Sequence, residues 1–164
     1  MKLKKKYSVS ILFFVTIISL AIFSCKKKRT NEDLYEEANA GNLVFYKNKD
    51  TIYAPAGTSP HGHFKLKFNQ TAANALGADG KLPAGETFPE GSLIVKEIYT
   101  NGAKSLYAVM KKDRKSKFAS NKWIWAEYEL NGDVKIDVSR TGKDCVDCHT
   151  GGNPRDLTLS FDLH

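Results

Sequence analysis

The chain has 164 residues, enough for one domain with a single hydrophobic core. It contains 25 Lys and Arg residues against 18 Asp and Glu residues, but four of those lysines stand within the first six positions. Without them the net charge falls to about +3, and the remaining charges of both signs are interspersed. This pattern gives no basic stripe, so we expect no nucleic-acid partner.

The N-terminus predicts an export signal. Lysines precede an apolar run from Ile11 to Phe23, and Ser24 and Cys25 follow it. The run is shorter than the roughly 20 apolar residues of a bilayer-spanning helix, so residues 1–24 are predicted to be a cleaved signal peptide. The ending Ile22-Phe23-Ser24-Cys25 resembles the lipobox of bacterial lipoproteins.

We therefore expect an acylated Cys25 that anchors the protein to the periplasmic side of the bacterial outer membrane. An ordinary signal peptide with an unmodified cysteine is the alternative, as is an inner-membrane or soluble periplasmic location. Residues 25–42 are polar and are predicted to form a lipid-anchored tether with room for one short helix. Residues 43–164 are predicted to form the folded domain.

Alternating apolar and polar residues predict a series of β-strands in this domain. The predicted strands are Phe64–Phe68, Ser92–Tyr99, Ser105–Lys111, Trp123–Leu130 and Val134–Val138. Asn101-Gly102 and Asn131-Gly132 separate successive strands and favour tight hairpins, because both residue types tolerate positive φ. A short helix is predicted at Asn69–Leu76, and another should carry a cysteine pair. We expect an α+β fold, mainly antiparallel β-sheet with a few short helices.

Near the C-terminus, the pentad Cys145-Val146-Asp147-Cys148-His149 matches the Cys-x-x-Cys-His pattern of covalent haem attachment. Two cysteines three positions apart share one face of a helix, so both sulfurs can reach the same porphyrin edge. The next residue can then supply the proximal ligand to iron. The pattern predicts one covalently bound haem c, held by Cys145 and Cys148, with His149 as the metal ligand.

Three other uses of the cysteine pair stay open at this point. A zinc knuckle would need a second pair of ligands, and the predicted domain has no other cysteine. A redox-active disulfide would normally open a helix after a strand in a thioredoxin-like unit, a pattern that this chain lacks. An inert disulfide in an oxidising compartment is the third.

Lys96 interrupts an apolar strand face. The period-two count places it beside Ile94 and Ile98, whereas Leu93 and Val95 lie on the other face. Burying an ammonium is costly unless it is paired, neutral or chemically used. The pattern alone favours an edge-strand lysine whose ammonium reaches solvent.

Three segments in this order resemble the cytochrome P-460 family: Thr87–Glu97, the strand Trp123–Glu127, and the pentad followed by Asp156. The resemblance extends from about Gly62 to the C-terminus. It implies a mainly β-sheet haem protein, commonly a homodimer. In the enzymes that give the family its name, a lysine in the matching strand is cross-linked to the haem, which implies a haem-facing, catalytic Lys96.

The resemblance leaves the activity open. Hydroxylamine-oxidising members use a distal carboxylate as a proton acceptor, and Asp144, Glu127 and Glu129 are the candidates here. The beta-type cytochromes c-prime of the same family bind nitric oxide or carbon monoxide at a five-coordinate iron in an apolar pocket, without a cross-link. We therefore expect a protein that binds or oxidises small nitrogen species at an open iron site, as an enzyme or as a carrier or sensor.

A simple electron-transfer cytochrome is the third expectation, and it would need a sixth iron ligand. The candidate ligands are Met110, which alternation places in the core, His61 and His63, which are predicted to be exposed in a Pro-Gly loop, and His164. Among the aromatic residues, Phe64, Phe68 and Phe88 are predicted to lie in the core, with the alternative that one of them lines the distal face of the haem site. Trp123 and Trp125 are predicted to pack in the core or at a dimer contact.

Overall fold

The computed structural model describes residues 30–57, 59–151 and 155–163. The predicted signal peptide, the predicted lipidation site Cys25 and the candidate ligand His164 lie outside these residues. Within the described ranges, no helix is long and apolar enough to cross a membrane.

The described residues form one antiparallel sheet of six strands, in which every strand pairs with the one before it in sequence. The strands are β1 (Val44–Phe45), β2 (His63–Phe68), β3 (Leu93–Thr100), β4 (Ala103–Lys112), β5 (Trp123–Glu129) and β6 (Val134–Ile136). The predicted α+β fold, dominated by antiparallel sheet, is confirmed. Alternation does not predict β1, because two residues are too few to show a period.

Short helices flank the sheet. They are α1 (30–38), α2 (Gln70–Ala73), α3 (Val146–His149) and α4 (Ser160–Leu163), with 3-10 turns at Tyr46–Asn48 and Val138–Arg140. The side-chain oxygen of Asn69 caps α2 and ties it to β3, since it accepts hydrogen bonds from the N–H groups of Ala72 and Leu93, both at 3.0 Å. α2 is shorter than predicted because Asn74 and Gly77, residue types typical of helix ends, follow it.

One of the two predicted Asn-Gly hairpins has the expected geometry. Asn101 and Gly102 both have positive φ, 53° and 81°, and they link β3 directly to β4. At the second site Gly132 has a φ of 93°, but Asn131 does not share its left-handed conformation, and a longer loop joins β5 to β6. The Asn131 side chain instead bonds to Asp133, with Nδ2 2.9 Å from a carboxylate oxygen.

The back face of the sheet is covered by α1. Leu34 and Ala38, one helical turn apart and each 2% exposed, pack with Val95, Tyr107 and Tyr128 in one core cluster. The segment predicted to be a polar tether therefore contributes, in its described part, a helix to the core.

The front face of the sheet carries a second core cluster and a cavity. Aromatic residues dominate the cluster, which includes Phe68, Phe88, Trp123 and Phe161, each 0% exposed. Phe161 comes from α4, so the C-terminal segment closes one end of this face. The core positions predicted for Phe64, Phe68 and Phe88 are confirmed.

Candidate functional site

Four side chains form a row across the front face of the sheet. Leu66 pairs with Lys96, Lys96 with Ala108, and Ala108 with Glu127, so β2 to β5 each contribute one residue in register. In this row the amine of Lys96 and the carboxylate of Glu127 lie on either side of the methyl group of Ala108. Because the Ala108 side chain is the smallest of the four, it leaves space above the middle of the sheet.

That space opens into a cavity of about 880 Å³. Its walls are the front face of the sheet, the loop before β2, helix α3 and residues 158–160. Cofactor and small-molecule sites typically occupy roughly 300–1,000 Å³. Apolar side chains form much of the lining, among them Phe64, Leu66, Ile94, Ile98 and Met110. Polar and sulfur-bearing side chains in the wall include His61, Lys96, Glu127, Cys145, Cys148 and His149.

His149 is held in a fixed orientation at the cavity wall. Its Nδ1 lies 2.7 Å from the carbonyl oxygen of Leu157, and its ring meets Trp125 edge to face at 4.9 Å between centroids. A carbonyl oxygen can only accept a hydrogen bond, so Nδ1 carries the hydrogen and Nε2 keeps its lone pair. Burial lowers the pKa of His149, which keeps the imidazole neutral. These are the properties of a histidine prepared to bind a metal ion.

The two pentad cysteines lie at the two ends of the first turn of α3. Cys145 precedes the helix and is half-buried, and Cys148 lies within it and is exposed. Both are free thiols, so the inert disulfide receives no support. Burial raises the pKa of Cys145 to about 11. Within the described ranges there is no cluster of three or more His, Cys, Asp or Glu side chains that could hold a metal ion, so the zinc alternative has no ligand set there.

Lys96 reaches the cavity from the centre of the sheet. β3 lies between β2 and β4, so the pattern-based expectation of an edge-strand lysine is wrong. The ammonium lies 4.1 Å above the ring centroid of Phe64, a cation–π contact. Burial lowers the pKa of Lys96 to about 8. Partial neutralisation and the aromatic ring are what make this position tolerable for a lysine.

His61 also faces the cavity, contrary to the expectation that it is exposed. Its Nδ1 lies 3.8 Å from a carboxylate oxygen of Glu127, and the two side chains are 20% and 11% exposed. Burial, with smaller contributions from Lys96 and His149, lowers the pKa of His61 to about 4, and burial raises the pKa of Glu127. At neutral pH the imidazole is therefore neutral, and the two groups are not an ion pair. His63 is exposed, as expected.

The other candidate residues divide between the core and the site. Trp123 packs in the core as predicted, but Trp125 lines the cavity and contacts His149, so its assignment to the core or a dimer contact is incomplete. Met110 belongs to the core cluster and also borders the cavity. Asp144 pairs with Arg140, at the exposed rim.

Sequence reasoning missed a buried ion pair next to the site. The Lys112 side chain is 0% exposed, and its Nζ lies 2.7 Å from each carboxylate oxygen of Asp156. Asp156 also accepts hydrogen bonds from the backbone N–H of Phe88 at 2.8 Å and from Nε1 of Trp123 at 3.2 Å. A signal for Lys112 was available, since it stands two residues after Met110 and so shares its face.

The cavity fits a haem group in its size, its lining and its donor set. It offers two free thiols, an imidazole with an available lone pair and a largely apolar wall. In addition, Oγ1 of Thr158, a 4% exposed residue of the wall, has no hydrogen-bond partner among the described residues. A polar group of a bound ligand could satisfy that oxygen.

Comparison with known proteins agrees with this geometry. No curated protein matches the chain. The family model described as Cytochrome P460 matches residues 45–160, more than half of the 164 residues, and this range includes both the cavity-lining strands and the pentad. The match confirms the resemblance noted in the sequence and implies haem binding. The chain belongs to the cytochrome P460 family.

Proposed function

We propose that the protein is an exported mono-haem c-type cytochrome that binds or oxidises a small nitrogen species, such as hydroxylamine or nitric oxide, in the front-face cavity. The observation that carries the proposal is the presence of both pentad thiols, His149 and Lys96 in the wall of one cavity. The thiols and the imidazole come from α3 and the residue before it, whereas the amine comes from the middle of the sheet. The fold therefore gathers distant parts of the chain around one cavity.

Three residues would hold the haem. Cys145 and Cys148 would attach it covalently, and His149 would bind its iron through Nε2. Trp125 and the Leu157 carbonyl orient the imidazole through the contacts described above, so the direction of the lone pair is set by the protein. Bound in this cavity, the haem would supply a redox-active metal that can bind a small nitrogen species or accept electrons from it.

Lys96 favours an enzyme over a simple carrier. With a pKa of about 8, a fraction of its amine is neutral at neutral pH, and only the neutral amine has a lone pair for bond formation. Among the described residues no carboxylate pairs with Lys96, so that lone pair is not engaged by an acid. We include in the proposal a covalent bond from the Lys96 nitrogen to a carbon of the haem. Its formation would break one N–H and one C–H bond and release two protons, and the two electrons would pass to an added oxidant such as a peroxide.

The lining supports a second candidate, a five-coordinate carrier or sensor of nitric oxide. The side chains of Phe64, Leu66, Ile94 and Ile98 give the cavity an apolar wall, and such a wall suits a neutral diatomic gas. In this case the iron would be open on one face, and Lys96 would remain a free amine.

Haem attachment is tested first, with the full-length chain produced in a host that carries c-type maturation. The pyridine haemochrome of the wild-type protein should have the band position of two thioether bonds. Cys145→Ser and Cys148→Ser should each shift that band to the position of one thioether bond, and His149→Ala should recover axial ligation with added imidazole. A colourless wild-type protein with free thiols would end the proposal.

The role of Lys96 is tested next by mass spectrometry of tryptic haem peptides. A cross-link predicts a peptide that joins the Lys96 segment to the Cys145 segment, and a red-shifted main haem band. Lys96→Met should remove both, whereas Lys65→Met, on the back face of β2, should retain both. No cross-link, a high-spin spectrum and no hydroxylamine turnover would select the gas carrier. A low-spin resting iron would select a simple electron carrier.

Export and anchoring are part of the proposal and have their own test. Cys25→Ser in the full-length chain should move the protein from the membrane fraction to the soluble fraction and abolish labelling by radioactive palmitate. Ser24→Ala keeps a small residue before the cysteine and serves as the control. Unchanged membrane association of Cys25→Ser would remove the lipid anchor from the proposal.

A further inference from the structure

His61 is built into the cavity by its loop. The hydroxyl of Ser59 accepts a hydrogen bond from the His61 N–H at 3.3 Å and donates one to the His61 carbonyl oxygen at 3.2 Å. The side chain is four-fifths buried and borders the same space as Lys96 and His149. Loops normally expose their polar side chains. A loop histidine whose backbone is fixed by hydrogen bonds and whose side chain faces a cavity is therefore a candidate for a functional role.

Glu127 lies on the Nδ1 side of the His61 ring. Its carboxylate lies 3.8 Å from Nδ1, too far for a hydrogen bond but close enough to favour the hydrogen on that nitrogen. The hydrogen on Nδ1 leaves a lone pair on Nε2, and no hydrogen bond engages Nε2 within the described part of the chain. The imidazole of His61 is therefore neutral, its Nε2 is available as an acceptor, and the carboxylate of Glu127 lies on its Nδ1 side.

We propose that His61 is the proton acceptor for protic molecules bound in the cavity and that Glu127 is its positioning residue. The inference rests on the proposed function and adds a residue to it. In the step, a bond from hydrogen to nitrogen, oxygen or carbon of the bound molecule breaks, the electron pair stays with that molecule, and the proton passes to Nε2. The imidazolium then forms an ion pair with Glu127, which offsets part of the cost of a buried charge.

Three other basic groups at or near the cavity are less suited to this task. Lys96 is mostly protonated at neutral pH, since its pKa is about 8, so it cannot accept a proton without first losing one. His149 already donates from Nδ1 to Leu157, and its Nε2 is assigned to the iron. His63 is exposed and lies on the opposite side of β2 from Phe64 and Leu66.

The test measures two association rates by stopped flow: that of cyanide with the ferric haem protein and that of carbon monoxide with the ferrous haem protein. At neutral pH cyanide arrives as hydrogen cyanide and must lose its proton on binding, whereas carbon monoxide carries no proton. His61→Leu should slow cyanide association by about 100-fold, the usual contribution of a positioned base, and leave carbon monoxide association unchanged. His61→Gln, which keeps polarity but is not basic, should be equally slow with cyanide.

Two further variants complete the design. Glu127→Gln should slow cyanide association by a smaller factor than His61→Leu, because the base remains but its counter-charge is gone. His63→Leu is the matched control and should have wild-type rates with both probes. Equal slowing of cyanide and carbon monoxide by His61→Leu would indicate a change of access and would overturn the inference.

The haem content of each variant, measured as pyridine haemochrome, separates the two proposals. A wild-type protein without haem overturns the proposed function and this inference together. Haem at wild-type levels with unchanged cyanide association in His61→Leu overturns this inference alone. A low-spin resting spectrum that His61→Leu converts to high spin would make His61 an iron ligand and would also overturn it.

Discussion

Nζ of Lys112 lies 2.7 Å from both carboxylate oxygens of Asp156, and this ion pair joins the end of β4 to the chain that supports the candidate haem ligand. The residue after Asp156 is Leu157, whose carbonyl oxygen accepts from His149. Asp156 and Leu157 both have positive φ, 50° and 69°, a conformation that costs roughly 1–2 kcal/mol per residue for L-amino acids. The buried contacts of Asp156 hold this turn in place and so hold the acceptor for His149.

Asp156→Asn should be strongly destabilising. It leaves the ammonium of Lys112 buried without a counter-charge, and breaking a buried pair in this way costs about 3–5 kcal/mol. In urea unfolding, the double variant Asp156→Asn with Lys112→Met should be more stable than Asp156→Asn alone, because the unpaired charge is gone. Asp162→Asn breaks a more exposed ion pair, with Arg155, and should cost at most about 1 kcal/mol. Equal losses for Asp156→Asn and Asp162→Asn would contradict this account.

Ala108→Phe should prevent haem from occupying the cavity. The small side chain of Ala108 separates Lys96 from Glu127 in the row across the sheet, and a phenyl ring there would fill the space above it. We expect a folded protein by circular dichroism with a haem content of about a tenth or less of the wild-type value. Ala103→Phe, at an exposed position of the same strand, is the control and should bind haem normally. Normal haem content in Ala108→Phe would place the cofactor elsewhere.

Gly142→Ala should disturb the packing behind His149. Gly142 has a φ of +72°, and a Cβ there would stand 2.7 Å from Cδ1 of Trp125 and 2.8 Å from Cγ2 of Val146. Both the backbone strain and the clash are unfavourable, and together we expect a loss of about 2–4 kcal/mol. Gly85→Ala, also at positive φ but with open space around it, should show the strain alone and serves as the control. Near-ultraviolet circular dichroism would report the displacement of Trp125, and a spectrum identical to that of Gly85→Ala would refute the prediction.

Lys96 should make the stability of the haem-free protein depend on pH. Its pKa is lowered from 10.5 to about 8 on folding, so between these values the unfolded chain binds more protons, and stability rises with pH. The destabilising effect of Lys96 is complete below pH 8 and disappears towards pH 10.5. Lys96→Met should therefore be more stable than wild type at pH 7, by on the order of 3 kcal/mol, with the difference shrinking through this window.

Urea midpoints at three pH values, measured on the leader-free chain produced in the cytoplasm, would check this pH dependence. Lys122→Met, at an exposed position, should have the wild-type profile. A constant difference between Lys96→Met and wild type from pH 7 to pH 10.5 would mean that Lys96 does not titrate as a buried amine.

Much of the sheet could be predicted because alternation is a local property. The pattern in β2 to β6 identifies each strand and the face that each residue occupies, and it placed Lys96 with Ile94 and Ile98 correctly. Alternation alone does not show whether a strand has one neighbour or two, so it does not place Lys96 in the middle of the sheet. The pentad is likewise recognised from five consecutive residues, without knowledge of any contact with another part of the chain.

The remainder of the site depends on contacts between distant segments. Lys112 and Asp156 are 44 residues apart, and neither position alone shows that the other neutralises it. His61 lies in a loop without a period, so its sequence neighbours favour exposure although the tertiary fold turns it inward. The sequence pattern does not predict the packing of α1 against the back face either, because its two buried apolar residues, Leu34 and Ala38, are few among many charged ones.

The strand order has a consequence for how the protein forms. Each strand hydrogen-bonds to its immediate predecessor, so a chain delivered N-terminus first can add strands one at a time, with short loop closures and without waiting for a distant partner. α3 follows β6, so the predicted haem-attachment pentad is synthesised only after all six strands of the sheet. In the proposed cytochrome, haem attachment at the pentad would therefore follow the synthesis of all six strands.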